Sequence, residues 1–82
     1  MRDWERQLQR AQRIKMQYPR GTRIVLLHMG NDPRPIQPNT RGTVEHVDDI
    51  GTVHCRFDNG RALGLITGVD DFRKLTDDDL IR

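Results

Sequence analysis

Residues 42–73 constrain the fold of this chain more than any other segment does. Three short apolar-rich runs lie there, separated by two compact turn signals at residues 48–51 and 58–60. A glycine that follows Asp or Asn in such a turn supplies the positive φ angle that a tight hairpin needs. The pattern therefore predicts a β-meander, and a small barrel is the simplest way to bury its apolar face.

Five strands follow from the short apolar-rich runs and the turns that separate them. We place them at residues 23–28, 41–47, 52–57, 61–66 and 72–75. Residues 29–39 contain three prolines, which lack the amide donor of a central strand, so this segment is predicted to be a long extended loop. It is either a binding surface or a plain connection. These features predict a five-stranded SH3-like barrel; an OB-type barrel is the alternative, although its strands usually need more residues.

The amino-terminal segment has the composition of an α-helix. From Asp3 to Tyr18 it contains neither glycine nor proline, and helix-forming residues dominate. Pro19 and Gly21 then end the helix. We therefore divide the chain into an amphipathic basic helix at 1–20, the barrel at 21–76 and a short acidic tail at 77–82. At about 100° per residue, one helix stripe gathers five residues: Trp4, Leu8, Ala11, Ile14 and Tyr18.

Four arginines of the helix share an arc next to the apolar stripe, and two interpretations compete for them. The arc is either a solvated face or a ridge that contacts phosphates and releases counterions. In the second case the nucleic-acid contacts would be Arg2, Arg6, Arg10, Arg13, Lys15 and Arg20 on the helix, with Arg23, Arg41, Arg56 and Arg61 from the barrel.

The apolar stripe and the proline loop form a second candidate surface. An isolated helix of about 15 residues is marginally stable and needs a surface to pack on, so the stripe docks on the barrel or on another subunit. Trp4 would be a packing anchor or a dimer contact; base stacking would require it to be exposed beside the arginines. The candidate contacts to a protein partner, or to a second copy in a homodimer, are Trp4, Leu8, Ala11, Ile14, Pro33, Pro35 and Ile36.

Composition narrows the class of protein. With 82 residues, 34% of them hydrophobic, the chain makes one domain with a small core. Its single cysteine excludes an internal disulfide and suits a reducing compartment. No apolar run is long enough to span a membrane, and none resembles a secretory signal, so we expect a cytoplasmic protein without membrane contact. Charge is uneven: residues 1–20 carry six basic and two acidic side chains, and residues 70–82 carry three and five.

Catalytic and metal-binding patterns are not found in the sequence. Cys55 and three histidines suggest zinc, but His54 and Cys55 are strand neighbours that point to opposite faces, and no metal-ligand pair has the usual spacing. Most of the aspartates fall at turns, where Asp bonds its own backbone. No nucleophile–base pattern and no phosphate-binding loop occurs. We therefore expect no enzyme, no metal, no cofactor and no small-molecule substrate.

Three consecutive aspartates, residues 77–79, lie close to the C-terminal end of the sequence. They form either a solvated end, or a final helical turn capped by Thr76, or a segment that folds against the basic helix of the same or a neighbouring chain.

The chain resembles a small bacterial and phage family that is classed only as a domain of unknown function. The resemblance covers about residues 18–75. It rests on Tyr18-Pro19-Arg20-Gly21-Thr22-Arg23, Asp32-Pro33, Gly42-Thr43-Val44, Val47-Asp48-Asp49 with Gly51, Phe57-Asp58-Asn59-Gly60, Leu63-Gly64-Leu65 with Gly68 and Asp70, and Phe72-Arg73. Phe57 stands where the family pattern has Trp, and Cys55 where Val is usual. The resemblance implies no established activity, only an accessory role on phages or mobile elements.

Together these observations predict a non-enzymatic binding module. In the preferred interpretation it is a protein-interaction or assembly factor, with a counter-defence role conceivable for a mobile element. In the alternative it binds nucleic acid through the arginine-rich helix.

Overall fold

A computed structural model describes residues 2–30 and 32–81 of the chain. The elements, in order, are α1 (Arg2–Gln17), β1 (Arg23–His28), β2 (Thr40–Val47), β3 (Val53–Phe57), β4 (Ala62–Leu65), β5 (Asp71–Lys74) and α2 (Asp77–Ile81). The strands form one antiparallel sheet in the order β4-β3-β2-β1-β5. The fold is therefore mainly β with an N-terminal helix, as predicted. β4 and β5 lie at opposite edges, so the sheet is not closed.

The turns and the inward-facing residues also agree with the sequence. Gly51 and Gly60 both have positive φ, 88° and 91°, at the two hairpin turns. Side chains alternate along β3, where Val53, Cys55 and Phe57 are buried between two more exposed residues. Period-two alternation is expected of a strand with one covered face. The largest fully buried side chains are Ile24, Leu26, Val44, Val53, Cys55, Phe57 and Leu65.

Helix α1 begins at Arg2, and the acidic residues Asp3 and Glu5 lie in its first turn. The helix docks on the sheet through its C-terminal half. Ala11 is 1% exposed and Ile14 is buried in the core. The helix packs closely on the β2–β3 turn at Gly51, where an added Cβ would lie 3.1 Å from Ile14 Cδ1.

The turn beneath the helix is held by one carboxylate. Asp48 Oδ1 accepts hydrogen bonds from the backbone N–H groups of Ile50 (3.1 Å) and Thr52 (2.9 Å). Asp48 Oδ2 lies 2.8 Å from His54 Nε2 on the neighbouring strand. Asp48 therefore links the surface of the sheet to the loop on which α1 packs.

The proline loop, residues 29–39, folds back onto the core. Ile36 and Met29 are buried, and the N–H of Ile36 donates to Met29 Sδ at 3.3 Å. Asp70 ties the loop to the turn before β5, because its two oxygens accept from the N–H groups of Gly30 (2.8 Å) and Ile66 (2.9 Å). Residues 29, 30 and 36 of the loop are thus fixed to the core and to the turn before β5.

The acidic end of the chain forms the short helix α2. Thr76 caps it: the N–H of Asp79 donates to Thr76 Oγ1 (3.4 Å), and the N–H of Thr76 donates to Asp79 Oδ2 (2.8 Å). This reciprocal pair is a capping box. Asp79 also pairs with Arg73 at 2.9 Å, and these bonds hold the pKa of Asp79 well below its ordinary value. The tail therefore adopts the capped helical turn, and its ion pair is with β5.

Neither helix in the described part of the chain is long and apolar enough to cross a membrane.

Candidate functional site

The N-terminal half of α1 exposes large apolar side chains. Trp4 is 64% exposed, and Ile50 in the β2–β3 turn is 66% exposed. Leu8, one turn along the helix, is half-buried. These three residues, called the Trp4 patch below, line a groove of about 200 Å³ together with Gln7 and Asp49. The residues that line the groove are mainly apolar, and they include no nucleophile–base pair.

An ion pair borders the Trp4 patch. Lys15 Nζ lies 2.9 Å from Asp49 Oδ1, and the two side chains are 42% and 85% exposed. A polar border around a central apolar contact is the usual arrangement of a protein interface. The pair also engages Lys15, a predicted phosphate contact, with a carboxylate of the same chain.

The predicted arginine ridge is divided by the fold. Arg10 turns toward the loop before β5 and donates to Thr67, both to its carbonyl oxygen (3.0 Å) and to its hydroxyl (2.9 Å). Arg6 and Arg13 are exposed, and no described residue forms an ion pair with them. The side chain of Arg2 lies outside the described part. Arg20 is exposed just after the helix.

The sheet arginines are mostly occupied by partners from the same chain. Arg23 makes a two-bond pair with Asp58, at 2.8 Å for each bond. Its hydrogen bond and charge hold the pKa of Asp58 below the ordinary value. Arg56 lies 3.6 Å from Glu45. Arg41 donates to the carbonyl of the α2 residue 79 at 3.3 Å.

Arg61 differs from the other sheet arginines. It is half-buried just before β4, and its guanidinium has no ion pair within residues 2–30 and 32–81.

The proline loop and the end of β1 line an open, mainly apolar cavity. Its volume is about 400 Å³, and its lining is His28, Met29, Gly30, Pro35, Ile36, Gln37 and Pro38. Pro33 and Pro35 are exposed, as a partner contact requires, whereas Ile36 is part of the core.

Three residues must therefore be removed from the predicted partner surface. Ala11, Ile14 and Ile36 were assigned to partner or dimer contacts, but they are buried within the fold of this chain. The reason is that one apolar stripe serves two purposes: its C-terminal half covers the sheet, and only its N-terminal half stays accessible. Contact through Trp4, Leu8, Pro33 and Pro35 stays a prediction.

The structure also brings together two histidines that sequence reasoning left apart. His46 and His54 face each other across β2 and β3, with ring centroids 4.3 Å apart and planes inclined by 9°. Partial burial acts to raise the pKa of Asp48, but hydrogen bonds from His54 and from the N–H groups of Thr52 and Ile50 outweigh it, so that pKa is lowered. The sequence could have predicted this pairing, because the two histidines are equidistant from the centre of the hairpin turn.

Metal binding has no support among the described residues, where no group of three His, Cys, Asp or Glu side chains is placed to hold an ion. Cys55 is buried in the core. Burial, with a smaller effect of Glu45, raises the pKa of the Cys55 thiol to about 12. A thiol of this kind is not a reactive nucleophile at neutral pH.

The described residues thus form a small, mainly β domain with a helix docked on an open five-stranded antiparallel sheet. The chain belongs to the family described as "Domain of unknown function (DUF4314)", whose sequence model matches residues 7–75. The match includes most of α1 and all five strands. No curated protein and no solved structure matches the chain.

Proposed function

We propose that this protein is a non-enzymatic protein-interaction module whose main contact is the Trp4 patch. The observation that carries the proposal is the exposure of Trp4 and Ile50 side by side on a chain that has only one Trp. Tryptophan is the residue most often found at the energetic centre of protein interfaces. Single exposed apolar residues are ordinary, but an adjoining Trp, Leu and Ile around a groove are typical of an interaction site.

The electrostatics also support a protein partner. Lys15, Arg23 and Arg56 pair with acidic groups of the same chain, so several cations of the proposed nucleic-acid surface already have partners. Releasing such a cation to bind a phosphate would cost the pair that it leaves. The apolar side chains of the Trp4 patch have no comparable competitor.

The test uses Trp4 both as the contact and as the reporter. Proteins captured from a lysate of the native host should bind the purified chain and shift the emission of its single Trp to shorter wavelength. Trp4→Ala should weaken that binding by about tenfold or more, as expected of an interface hot spot.

The matched control is Met16→Ala, because Met16 is 83% exposed on the same helix but lies outside the Trp4 patch. It should leave partner binding unchanged. If Trp4→Ala binds the captured partner as the unmodified chain does, the Trp4 patch is not the contact and the proposal is wrong.

Nucleic-acid binding is the second candidate, and the observation that favours it is the placement of Arg6 and Arg13. The two are exposed and seven residues apart, about 10 Å along the helix axis, which is compatible with contacts to separate phosphates. Arg20 adds a third exposed cation beyond the helix end.

A salt series with labelled DNA and RNA separates the two candidates. Binding through Arg6 and Arg13 should show a steep negative dependence on salt, and replacing both by Gln should reduce the slope by roughly two units. Arg34→Gln is the control, because Arg34 is an exposed arginine in the proline loop. Absence of binding at low salt would exclude this function.

Two finer features belong to the same proposal. We interpret the open sheet as an SH3-like barrel, supported by its five short strands, its long loop after β1 and its tight turn before β5. We also propose an accessory role on phages or mobile elements, which rests on the sequence resemblance and includes counter-defence as one form.

A further inference from the structure

The two edges of the sheet differ in how they are protected. At β5, three of the four residues are charged, and the carbonyl of Lys74 accepts a hydrogen bond from Arg73 Nη1 at 3.1 Å. At β4, the sequence is Ala-Leu-Gly-Leu, without charge and without proline. Proteins usually protect sheet edges with charged residues, prolines or bulges, because an unprotected edge pairs with another strand. β4 lacks the first two of these protections.

The hydrogen-bond register identifies the free groups of β4. The N–H of Phe57 donates to the carbonyl of Arg61 at 2.7 Å, which makes these two residues a hydrogen-bonded pair. Along an antiparallel ladder such pairs alternate with pairs whose backbone groups point away from each other. Leu63 and Leu65 therefore bond to β3, and Ala62 and Gly64 direct their N–H and C=O groups outward.

The outward backbone groups of Ala62 and Gly64, called the window below, form a short stretch of β4 that ends before Ile66. The next outward N–H, at Ile66, already donates to Asp70 Oδ2. No described residue bonds to the outward groups of Ala62 or Gly64. Side chains do not obstruct the approach, because Ala62 carries only a methyl group and Gly64 carries no side chain. Position 64 requires glycine, since an added Cβ would lie 2.6 Å from Thr52 Cγ2.

We propose that a second copy of this chain pairs with β4 at this edge, antiparallel and about a two-fold axis at Leu63. Ala62 of each copy then lies opposite Gly64 of the other, and both residues exchange N–H···O bonds in both directions. The four bonds use every outward group in the window, and the two sheets become one continuous sheet. The contact is isologous, as two-fold dimers are.

Charge complementarity favours a second copy over an unrelated strand. Arg61 precedes the window, and Asp70 closes its other end at Ile66. Antiparallel pairing brings the start of one β4 to the end of the other, so Arg61 of each copy approaches Asp70 of its partner. Each copy therefore supplies the charge that the other end requires. This surface does not include the Trp4 patch, so the two proposals stand or fall separately.

Sedimentation velocity over a concentration series tests the proposal on the full chain. The unmodified protein should form a dimer, and Ala62→Pro should raise its dissociation constant by roughly tenfold or more, because two of the four hydrogen bonds lose their donor. The Ala62 amide points away from β3, so proline at this edge position leaves the ladder to β3 intact. A chain that stays monomeric at every concentration overturns the proposal.

A second variant covers the case in which Ala62→Pro does not fold. Ala62→Lys adds a charge near the axis and should also prevent dimerisation, whereas Gln12→Lys adds the same charge at an exposed position of α1 and should not. Amide exchange followed by NMR then locates the contact. The amides of Ala62 and Gly64 should exchange more slowly as the concentration rises; a dimer in which they stay unprotected uses another surface and overturns the proposal.

Discussion

The two halves of helix α1 carry the same amphipathic pattern but have different surroundings. In the C-terminal half, Ala11 and Ile14 are buried against the β2–β3 turn. In the N-terminal half, Trp4 remains mostly exposed although it belongs to the same stripe. The stripe is longer than the surface that the sheet offers it. The difference teaches that an apolar stripe shows which helix residues can be buried. How far the helix docks on the sheet decides which of them stay exposed to a partner.

The largest effect should come from the docked half. Ile14→Ala removes a buried side chain between the helix and the turn, which costs about 2–5 kcal/mol in such sites. For a domain of this size that approaches the whole free energy of unfolding. Urea unfolding followed by circular dichroism measures it. Met16→Ala, on the exposed side of the same helix, should stay within about 0.5 kcal/mol of the unmodified chain; equal losses would mean that Ile14 does not anchor the helix.

Substituting two turn glycines separates the effect of the contact between helix and turn from the effect of backbone strain. Gly51→Ala and Gly60→Ala each place a side chain at positive φ, which costs about 1–2 kcal/mol. Only at Gly51 does the new Cβ meet the helix, at Ile14 Cδ1; at Gly60 nothing lies within 4 Å. Gly51→Ala should therefore destabilise more in urea unfolding. If the two variants lose the same stability, the helix adapts to the added methyl group without cost.

Asp48, in the turn on which the C-terminal half of α1 packs, should make the free energy of unfolding depend on pH in the acid range. The pKa of Asp48 is lowered from its ordinary value of 3.8 in the folded chain, so its ionised form stabilises the fold above about that pH. The contribution is lost as pH falls through the folded-state pKa. Asp48→Asn keeps an oxygen for the turn and loses the charge, which should cost about 1 kcal/mol at neutral pH.

Urea unfolding from neutral to acid pH measures this difference. The gap between the unmodified chain and Asp48→Asn should narrow on acidification, because protonated Asp48 resembles the amide. Asp58 and Asp79 have lowered pKa values as well, so both chains should lose stability in acid, and only the difference reports on Asp48. A gap that does not change with pH would contradict the role of the Asp48 charge.

The smallest effect on stability should come from the exposed half. Trp4→Ala removes the largest side chain of the helix, yet most of it is in solvent, so the free energy of unfolding should change by about 0.5 kcal/mol or less. Urea unfolding measures this independently of any partner. A loss comparable to that of Ile14→Ala would show that Trp4 packs on the fold in solution, and the contrast between the two halves would fail.

Much of the backbone could be predicted because its signals are local. The turns at Gly51 and Gly60, the alternation of Val53, Cys55 and Phe57, and the end of α1 near Pro19 each depend on a few neighbouring residues. The boundaries of β3 and β4 were one residue too generous at some ends, as expected where a ladder gives way to a turn.

The candidate site was less predictable because it depends on which surfaces meet. No spacing along the chain indicates that Arg10 reaches Thr67, which is 57 residues away, or that Arg23 pairs with Asp58. The stacked pair of His46 and His54 follows from the hairpin register once the turn is fixed. Local patterns thus identified the cations, and long-range contacts decided which of them stay available.

By itself, the sequence determined a helix followed by short antiparallel strands, with a small apolar core and no catalytic pattern. Periodicity and turn chemistry encode such features within windows of a few residues. Only the tertiary structure decided that Trp4 is exposed while Ile14 is buried, and that Ile36 belongs to the core. It also decided that one edge strand of the sheet carries charged residues and the other carries none. These outcomes depend on how far a helix extends past a sheet and which strands lie outermost, and that geometry arises from contacts between distant residues.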